Sequence, residues 1–347
     1  MVSAESDPRV AVEPDFQVVS AVQCPAHILH EIGEFLDTQD TSHPFQFPEW
    51  SGSGALLALA RRGGRVSWVA QCGTLSPGGQ LLPIRALTVY RGPVCDDVEL
   101  LETGLRHLIE AGRRKNLAYV EIAPEWSGGF AESAALMLAR NGWQTLAGER
   151  SSLRLGLNRA ADDLLASFRK TTRSEIRRSI SAGIVVTVAG NEIEYRDFLR
   201  LYEAMASERK FPAQESEFLL RIFHWLAVDR SRGGLFLAWE DGNLRGGALV
   251  VRAGRRCWYI LGATSKDGKV GVGHLLQWRA IEWAREMGCL EYDFGGYREG
   301  VNTGPALFKK GFCDRVVNFI PPYRYVTSPT RHRAVESIAK IRRKLHL

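Results

Sequence analysis

Two lysines lie between phenylalanines in the stretch Phe308-Lys309-Lys310-Gly311-Phe312. A cation held beside an aromatic ring can meet the negative charge that builds on a carbonyl oxygen under attack. Lys309, next to Phe308, is the candidate for that role; the other reading of the pair is two surface lysines. Upstream, Leu290, Tyr292 and Phe294 alternate with Glu291 and Asp293, which predicts a strand. Gly295-Gly296 stops it where backbone must turn or be approached closely. Asp293, at the strand end, is a candidate general base or orienting group.

The sequence carries no GxSxG, no P-loop and no Ser-His-Asp order in a glycine-rich context, and its eight histidines are scattered. A site with neither covalent nucleophile nor metal cluster works by positioning and charge stabilisation. That suits attack of a free amine on an activated ester or thioester. A second basic feature lies at Asp162 to Ala182, where Arg169, Lys170, Arg173, Arg177 and Arg178 face one internal glutamate, Glu175. Arg173 and Arg177 are candidates for neutralising phosphates of RNA or of a nucleotide diphosphate. The competing reading is a solvated helix. Gly271-Val272-Gly273 opens a helix, and such glycines free backbone N–H groups for a pyrophosphate; a tight turn is the other reading.

Positioning these residues takes a helix with Leu275, Leu276, Trp278 and Ile281 at near-helical spacing, ended by Gly288, before the strand at 290–294. The order of elements occurs twice. Leu105 to Ala111 followed by Leu117 to Ile122 resembles Trp278 to Ala284 followed by Leu290 to Phe294, and Leu57 to Gly63 resembles Phe236 to Gly242. Each half reads hairpin, strand, helix, strand, so a mixed α/β chain of two similar domains is expected. The boundaries read as a disordered segment 1–14, a first domain 15–158, a second domain 159–328 that opens with the basic helix 162–182, and a basic C-terminal helix 329–347. Val335, Ile338, Ile341 and Leu345 share one side of that last helix. It either docks on the protein or lies on an anionic surface. Pro44 to Trp50 is an aromatic loop between prolines, either a substrate wall or a plug in the core.

The 347 residues are 45% hydrophobic, enough apolar material for two cores, and carry a net charge of +6, which suits an anionic partner. The six cysteines form no CxxC and read as buried thiols in a reducing compartment. No apolar run approaches the roughly 18 residues that span a bilayer. The expectation is a cytoplasmic protein.

On these residues the chain resembles the Fem family (FemA, FemB, FemX) of aminoacyl-tRNA-dependent peptidyltransferases, built from two tandem GNAT-like acyltransferase domains. The resemblance is carried by Arg169-Lys-Thr-Thr-Arg173-Ser-Glu-Ile-Arg177-Arg178, Trp258-Tyr259-Ile-Leu-Gly262, Leu276-Gln-Trp278, Tyr292-Asp-Phe-Gly-Gly296 and Leu307-Phe308-Lys309-Lys-Gly311-Phe312. In the first domain it is carried by Pro44 to Trp50 and Arg91-Gly-Pro-Val. It implies transfer of an amino acid from aminoacyl-tRNA to an amine of a nucleotide- or lipid-linked acceptor, a peptide or sugar of the cell wall, with no tightly bound cofactor and with peripheral contact to the inner membrane face. It further implies that Phe308 and Lys309 sit at the acyl-transfer centre, that Arg173 and Arg177 hold phosphates, and that Tyr259, Tyr292, Gly295, Gly296 and Trp50 line the substrate groove. The family's lysine soon after the loop tryptophan is replaced here by Trp50-Ser-Gly-Ser-Gly. In ordinary GNAT acetyltransferases the loop R/Q-x-x-G-x-G/A holds the pyrophosphate of acetyl-CoA. Gly271 and Gly273 fit its second half, while Gly268 stands where the Arg or Gln would be. An acyl-CoA-dependent N-acyltransferase of envelope or natural-product metabolism is therefore the alternative.

Overall fold

The computed structural model describes residues 14–52, 54–77, 83–148, 150–267, 271–301 and 303–345. Residues 1–13, expected to be disordered, and Gly268 lie outside them. The chain forms two compact units: Met1–Leu36, Phe45–Ala147 and Pro322–Leu347 in one, Asp37–Pro44 and Gly148–Pro321 in the other.

The first run of chain supplies β1 (Asp15–Ser20), α1 (Ala26–Thr38), β2 (Leu56–Arg62), β3 (Arg65–Leu75), β4 (Ala86–Tyr90), α2 (Val98–Arg114), β5 (Tyr119–Ala123), α3 (Gly128–Arg140) and β6 (Gln144–Thr145). The second run supplies β7 (Arg150–Gly156), α4 (Ala161–Ser167), α5 (Lys170–Ser181), β8 (Val185–Val188), α6 (Glu192–Arg209), α7 (Ser216–Val228), β9 (Gly233–Glu240), β10 (Asn243–Ala253) and β11 (Arg256–Thr264). It continues with α8 (Val272–Glu286), β12 (Glu291–Tyr297), α9 (Gly304–Lys310) and β13 (Val316–Phe319), and the chain ends with β14 (Tyr323–Val326) and α10 (Pro329–Leu345).

The sheets run β1-β2-β3-β4-β5-β14-β6 and β13-β7-β12-β11-β10-β9-β8. In the first, β4 and β5 are parallel and joined through α2; in the second, β11 and β12 are parallel and joined through α8. Parallel neighbours need such a crossover. The expected duplication is therefore present at the level of topology. Local sequence explains the crossover helices. Asp97 caps α2 by accepting from the amides of Glu99 and Leu100, and Leu101, Leu105 and Leu108 recur on its buried face. α8 buries Leu275, Leu276, Trp278 and Ile281.

Three expectations about boundaries are corrected. Residues 150–156, read as the end of the first domain (15–158), form β7 inside the second sheet, antiparallel to β12 and β13. The reason is Arg154, which is buried and needs the carboxylate of Asp293 on β12. Reciprocally β14, assigned by sequence to the second half, fills the gap between β5 and β6 in the first sheet. The basic stretch 162–182 is two helices, α4 and α5, because Phe168 turns inward against Trp278 and Phe312, with ring centroids 5.6 and 5.1 Å apart.

The C-terminal helix docks on protein through Val335, buried with Ile84, Ala86, Ala118 and Tyr119. The side chains of Ile341 and Leu345 lie outside the described residues. Among the described residues no helix is long and apolar enough to cross a membrane.

Candidate active site

β11 and β12 pair only from Arg256–Trp258 against Glu291–Asp293 among the described residues. Beyond Asp293 the strands part, and the pairing of β12 with β7 also shifts between Asp293 and Gly296. Asp293 holds this junction. It is 1% exposed, accepts from Arg154 Nε at 2.6 Å and from the Gly295 amide at 2.8 Å, and also accepts from the Ser152 hydroxyl. The Ser152 hydroxyl also reaches the Gly295 carbonyl at 3.0 Å. The turn bends at Gly295, whose φ of 73° is in the left-handed region that favours glycine. This leaves the Gly296 carbonyl to accept from Lys309 Nζ at 2.8 Å. Lys309 projects from α9, whose first turn is capped by the Thr303 hydroxyl accepting from the Ala306 amide. Burial lowers the pKa of Lys309 from the ordinary 10.5, and the nearby charge of Asp293 acts the other way.

Lys309 and Phe308 line a cavity of 480 Å³, with Tyr259, Gln277, Leu276 and Arg209 among the other walls. The site is thus a largely apolar cleft with the cations Lys309 and Arg209 in its walls, built between α6, β11, α8 and α9. Burial raises the Tyr259 phenol to about 12, so it stays protonated and able to donate. Gly273 borders the same cavity, where a side-chain carbon would lie 3.6 Å from both the Phe308 ring and Thr264 Cγ2.

The other residues singled out from sequence fall differently. Asp293 carries three hydrogen bonds and is enclosed, so it orients the Gly295–Gly296 turn and does not stand free as a base. Tyr292 is fully buried, its ring centroid 5.0 Å from Phe294; it touches the site only by donating to Gln277 Oε1 at 2.8 Å. Arg173 donates from Nη1 to the carbonyls of Ala166 (2.6 Å) and Phe168 (2.9 Å), closing the end of α4. That staple commits Nη1 of Arg173 to the protein, whereas Arg177 is exposed on α5. Gly271 has φ of 99°, and a Cβ there would lie 2.5 Å from the Glu175 carbonyl oxygen and from Ser179 Oγ on α5. Close approach of two helices accounts for this glycine without a pyrophosphate. Trp50 is a core residue of the first unit, 8% exposed and 4.8 Å from the Phe45 ring. In the same loop Gln46 donates to the Tyr90 carbonyl and accepts from the Gln71 amide. The loop is the plug, not the substrate wall.

Sequence reading missed Ser152, Arg154, Gln277 and His274. His274 lies 4.9 Å from the Phe308 ring, its pKa lowered by burial while the charge of Glu175 opposes the shift. Gln277 sat within a motif already noted, Leu276-Gln-Trp278. Nothing in local sequence ties Arg154 to a carboxylate 139 positions away.

The family model described as an acetyltransferase (GNAT) domain matches residues 166–310, which include Lys309. A UDP-N-acetylmuramoylpentapeptide-lysine N(6)-alanyltransferase of Weissella viridescens is 24% identical over 231 residues, covering 63% of this chain and 68% of that one. The chain is thus similar in sequence to Fem-type transferases. A lipid II:glycine glycyltransferase of Staphylococcus aureus (strain USA300) is 29% identical over 104 residues, covering 28% of this chain and 25% of the glycyltransferase. The crystal structure of FemX superposes with TM-score 0.79 at 18% identity, covering 89% of this chain and 98% of that chain. A tandem GNAT protein from the clavulanic acid biosynthesis pathway superposes with TM-score 0.56 at 14% identity over 91% and 99% of the two chains. The fold of this chain is therefore two tandem GNAT-like domains, and the family model and the transferase relatives give acyl transfer as its class of activity.

Proposed function

We propose that the protein moves an aminoacyl group from aminoacyl-tRNA to a primary amine of a cell-wall precursor peptide, and that Lys309 is the cation of the transfer centre. The observation that carries this reading is the Lys309 ammonium, partly desolvated beside Phe308 at the end of an apolar cleft and aimed by the Gly296 carbonyl. The neutral amine attacks the ester carbonyl carbon, a C–N bond forms, and the carbonyl electrons move to oxygen. Lys309 donates to that oxyanion. Collapse expels the ribose oxygen, which leaves with the proton lost by the amine, so the step needs no outside acid or base. A fixed donor in a low-dielectric site is worth about 10²–10³ in rate. With Asp293 occupied by Arg154, Ser152 and Gly295, proton transfer from amine to leaving oxygen is the economical route.

Arg177, exposed on α5, is a residue for phosphate contact in this reading; Arg173 is not. Tyr259, Gly295 and Gly296 border the acyl group. Arrival of a lipid-linked acceptor would bring the protein to the membrane surface without crossing it. The acyl-CoA alternative loses its main support, since Gly271 is required by helix packing.

The test is transfer from tRNA charged with a labelled amino acid to a peptide bearing a free lysine-type amine, with wild type and Lys309→Met. The expected result is transfer by wild type and a fall of about 10²–10³ in kcat for the variant at unchanged Tm. Transfer from acyl-CoA but from no charged tRNA overturns the donor, and a variant within twofold of wild type overturns the role of Lys309.

A further inference from the structure

Resting on the transfer reading above, we infer that Gln277 is a specificity residue that binds an uncharged oxygen of the acyl donor through its side-chain amide nitrogen. Gln277 is 2% exposed and lines the 480 Å³ cavity. Its amide is oriented from behind. Tyr292, enclosed in the core, donates its hydroxyl to Gln277 Oε1 at 2.8 Å. Burial holds the Tyr292 phenol well above the ordinary value of 10.0, so it remains a donor throughout the working pH range. With the amide oxygen committed to Tyr292, the nitrogen and its two N–H groups are left on the cavity side. Among the described residues that nitrogen has no hydrogen-bond partner.

An amide nitrogen whose oxygen is already held in place offers its N–H groups to an acceptor that enters the cavity. The rest of the wall says what kind of acceptor. Arg209 and Lys309 line the cavity and, among the described lining residues, no carboxylate does. The amide N–H groups, like these two cations, are donors, so what they bind is an oxygen acceptor. Lys309 serves the reacting carbonyl from its anchor at the Gly296 carbonyl, whereas Gln277 is anchored at the Tyr292 hydroxyl, so the two donors are held at separate points of the cavity wall. Gln277 consequently reads a different oxygen of the donor. Two sources share that chemistry: a hydroxyl on the transferred acyl group, and a hydroxyl of the terminal ribose.

The experiment measures kcat/KM of the full chain, wild type, Gln277→Met and Tyr292→Phe, with three donors: seryl-tRNA, alanyl-tRNA, and alanyl-tRNA ending in 2′-deoxyadenosine. Ratios between donors are internal to each variant, so a smaller folded fraction cancels. A wild-type preference for the seryl donor that falls by about tenfold or more in Gln277→Met assigns the contact to the acyl hydroxyl. A wild-type penalty for the deoxy donor that disappears in Gln277→Met assigns it to the ribose. In either case Tyr292→Phe, which releases the amide to rotate, lowers the same ratio in part. Both ratios unchanged in both variants, with wild type active, overturns this inference alone. A wild type inactive with every charged tRNA overturns the donor reading and this inference with it.

Discussion

Replacing Gly271 by alanine separates a glycine that serves a ligand from one that serves packing. Gly271 precedes α8 with φ of 99°, in the left-handed region, where a Cβ costs about 1–2 kcal/mol. That Cβ would also sit 2.5 Å from the Glu175 carbonyl oxygen and from Ser179 Oγ. The hydroxyl can rotate away, but the carbonyl belongs to the α5 backbone and can move only with its helix. Overpacking of this kind costs about 1–3 kcal/mol. Together the two effects give about 2–5 kcal/mol, and at about 2–4 °C per kcal/mol for a domain of this size the Tm falls by about 4–20 °C. Gly273→Ala is the control. Its Cβ meets only ordinary contacts at 3.6 Å, and inside a helix alanine is favoured over glycine by about 1 kcal/mol. Its melting temperature holds or rises, while transfer changes because the new methyl enters the cavity beside Phe308. The assay is a thermal melt of the full chain followed by circular dichroism, with donor binding measured on the same samples. A Gly271→Ala protein that melts within about 1 °C of wild type yet loses donor affinity refutes the packing account and returns the loop to a phosphate.

In the proposed mechanism transfer depends on the ammonium form of Lys309, and burial lowers its pKa. The alkaline limb of the rate profile therefore falls below the ordinary lysine value of 10.5. Asp293→Asn removes the opposing charge and moves that limb to still lower pH; a limb that does not move, read from kcat against pH, refutes the coupling. Arg154→Met leaves the 1%-exposed Asp293 carboxylate without its cation and costs about 3–5 kcal/mol, read as a lower denaturant midpoint. Glu291 has its carboxyl pKa lowered below 4.5: burial pushes it up, but Arg256, Arg315 and Arg154 outweigh that. A depressed folded-state pKa contributes stability above the unfolded value and loses it as pH falls through the folded one. Glu291→Gln should accordingly flatten the stability profile below about pH 4.5, and an unchanged acid limb would count against this ion cluster.

The sequence by itself determined the features that repeat locally. The 3.6-residue rhythm of α8, the alternation at 290–294 and the glycines after Asp293 each reflect a face that must be buried or a backbone that must bend. They sufficed to read two copies of one α/β unit, and to single out Lys309 and Phe308, which the structure places in the wall of one cavity. What the tertiary structure decided were the long-range partners. Arg154 and Asp293 meet across β7 and β12, which turned a candidate base into an anchor for the Gly295–Gly296 turn. Phe168 enters the core between Trp278 and Phe312, breaking the basic helix and drawing Arg173 onto carbonyls. Tyr292 and Gln277, fifteen positions apart, become donor and acceptor only because α8 packs on the sheet. Periodicity records which side of an element is buried; it carries no record of which distant element completes a charge or a hydrogen bond, and in this protein those completions separate the residues that line the cavity from the residues that hold them.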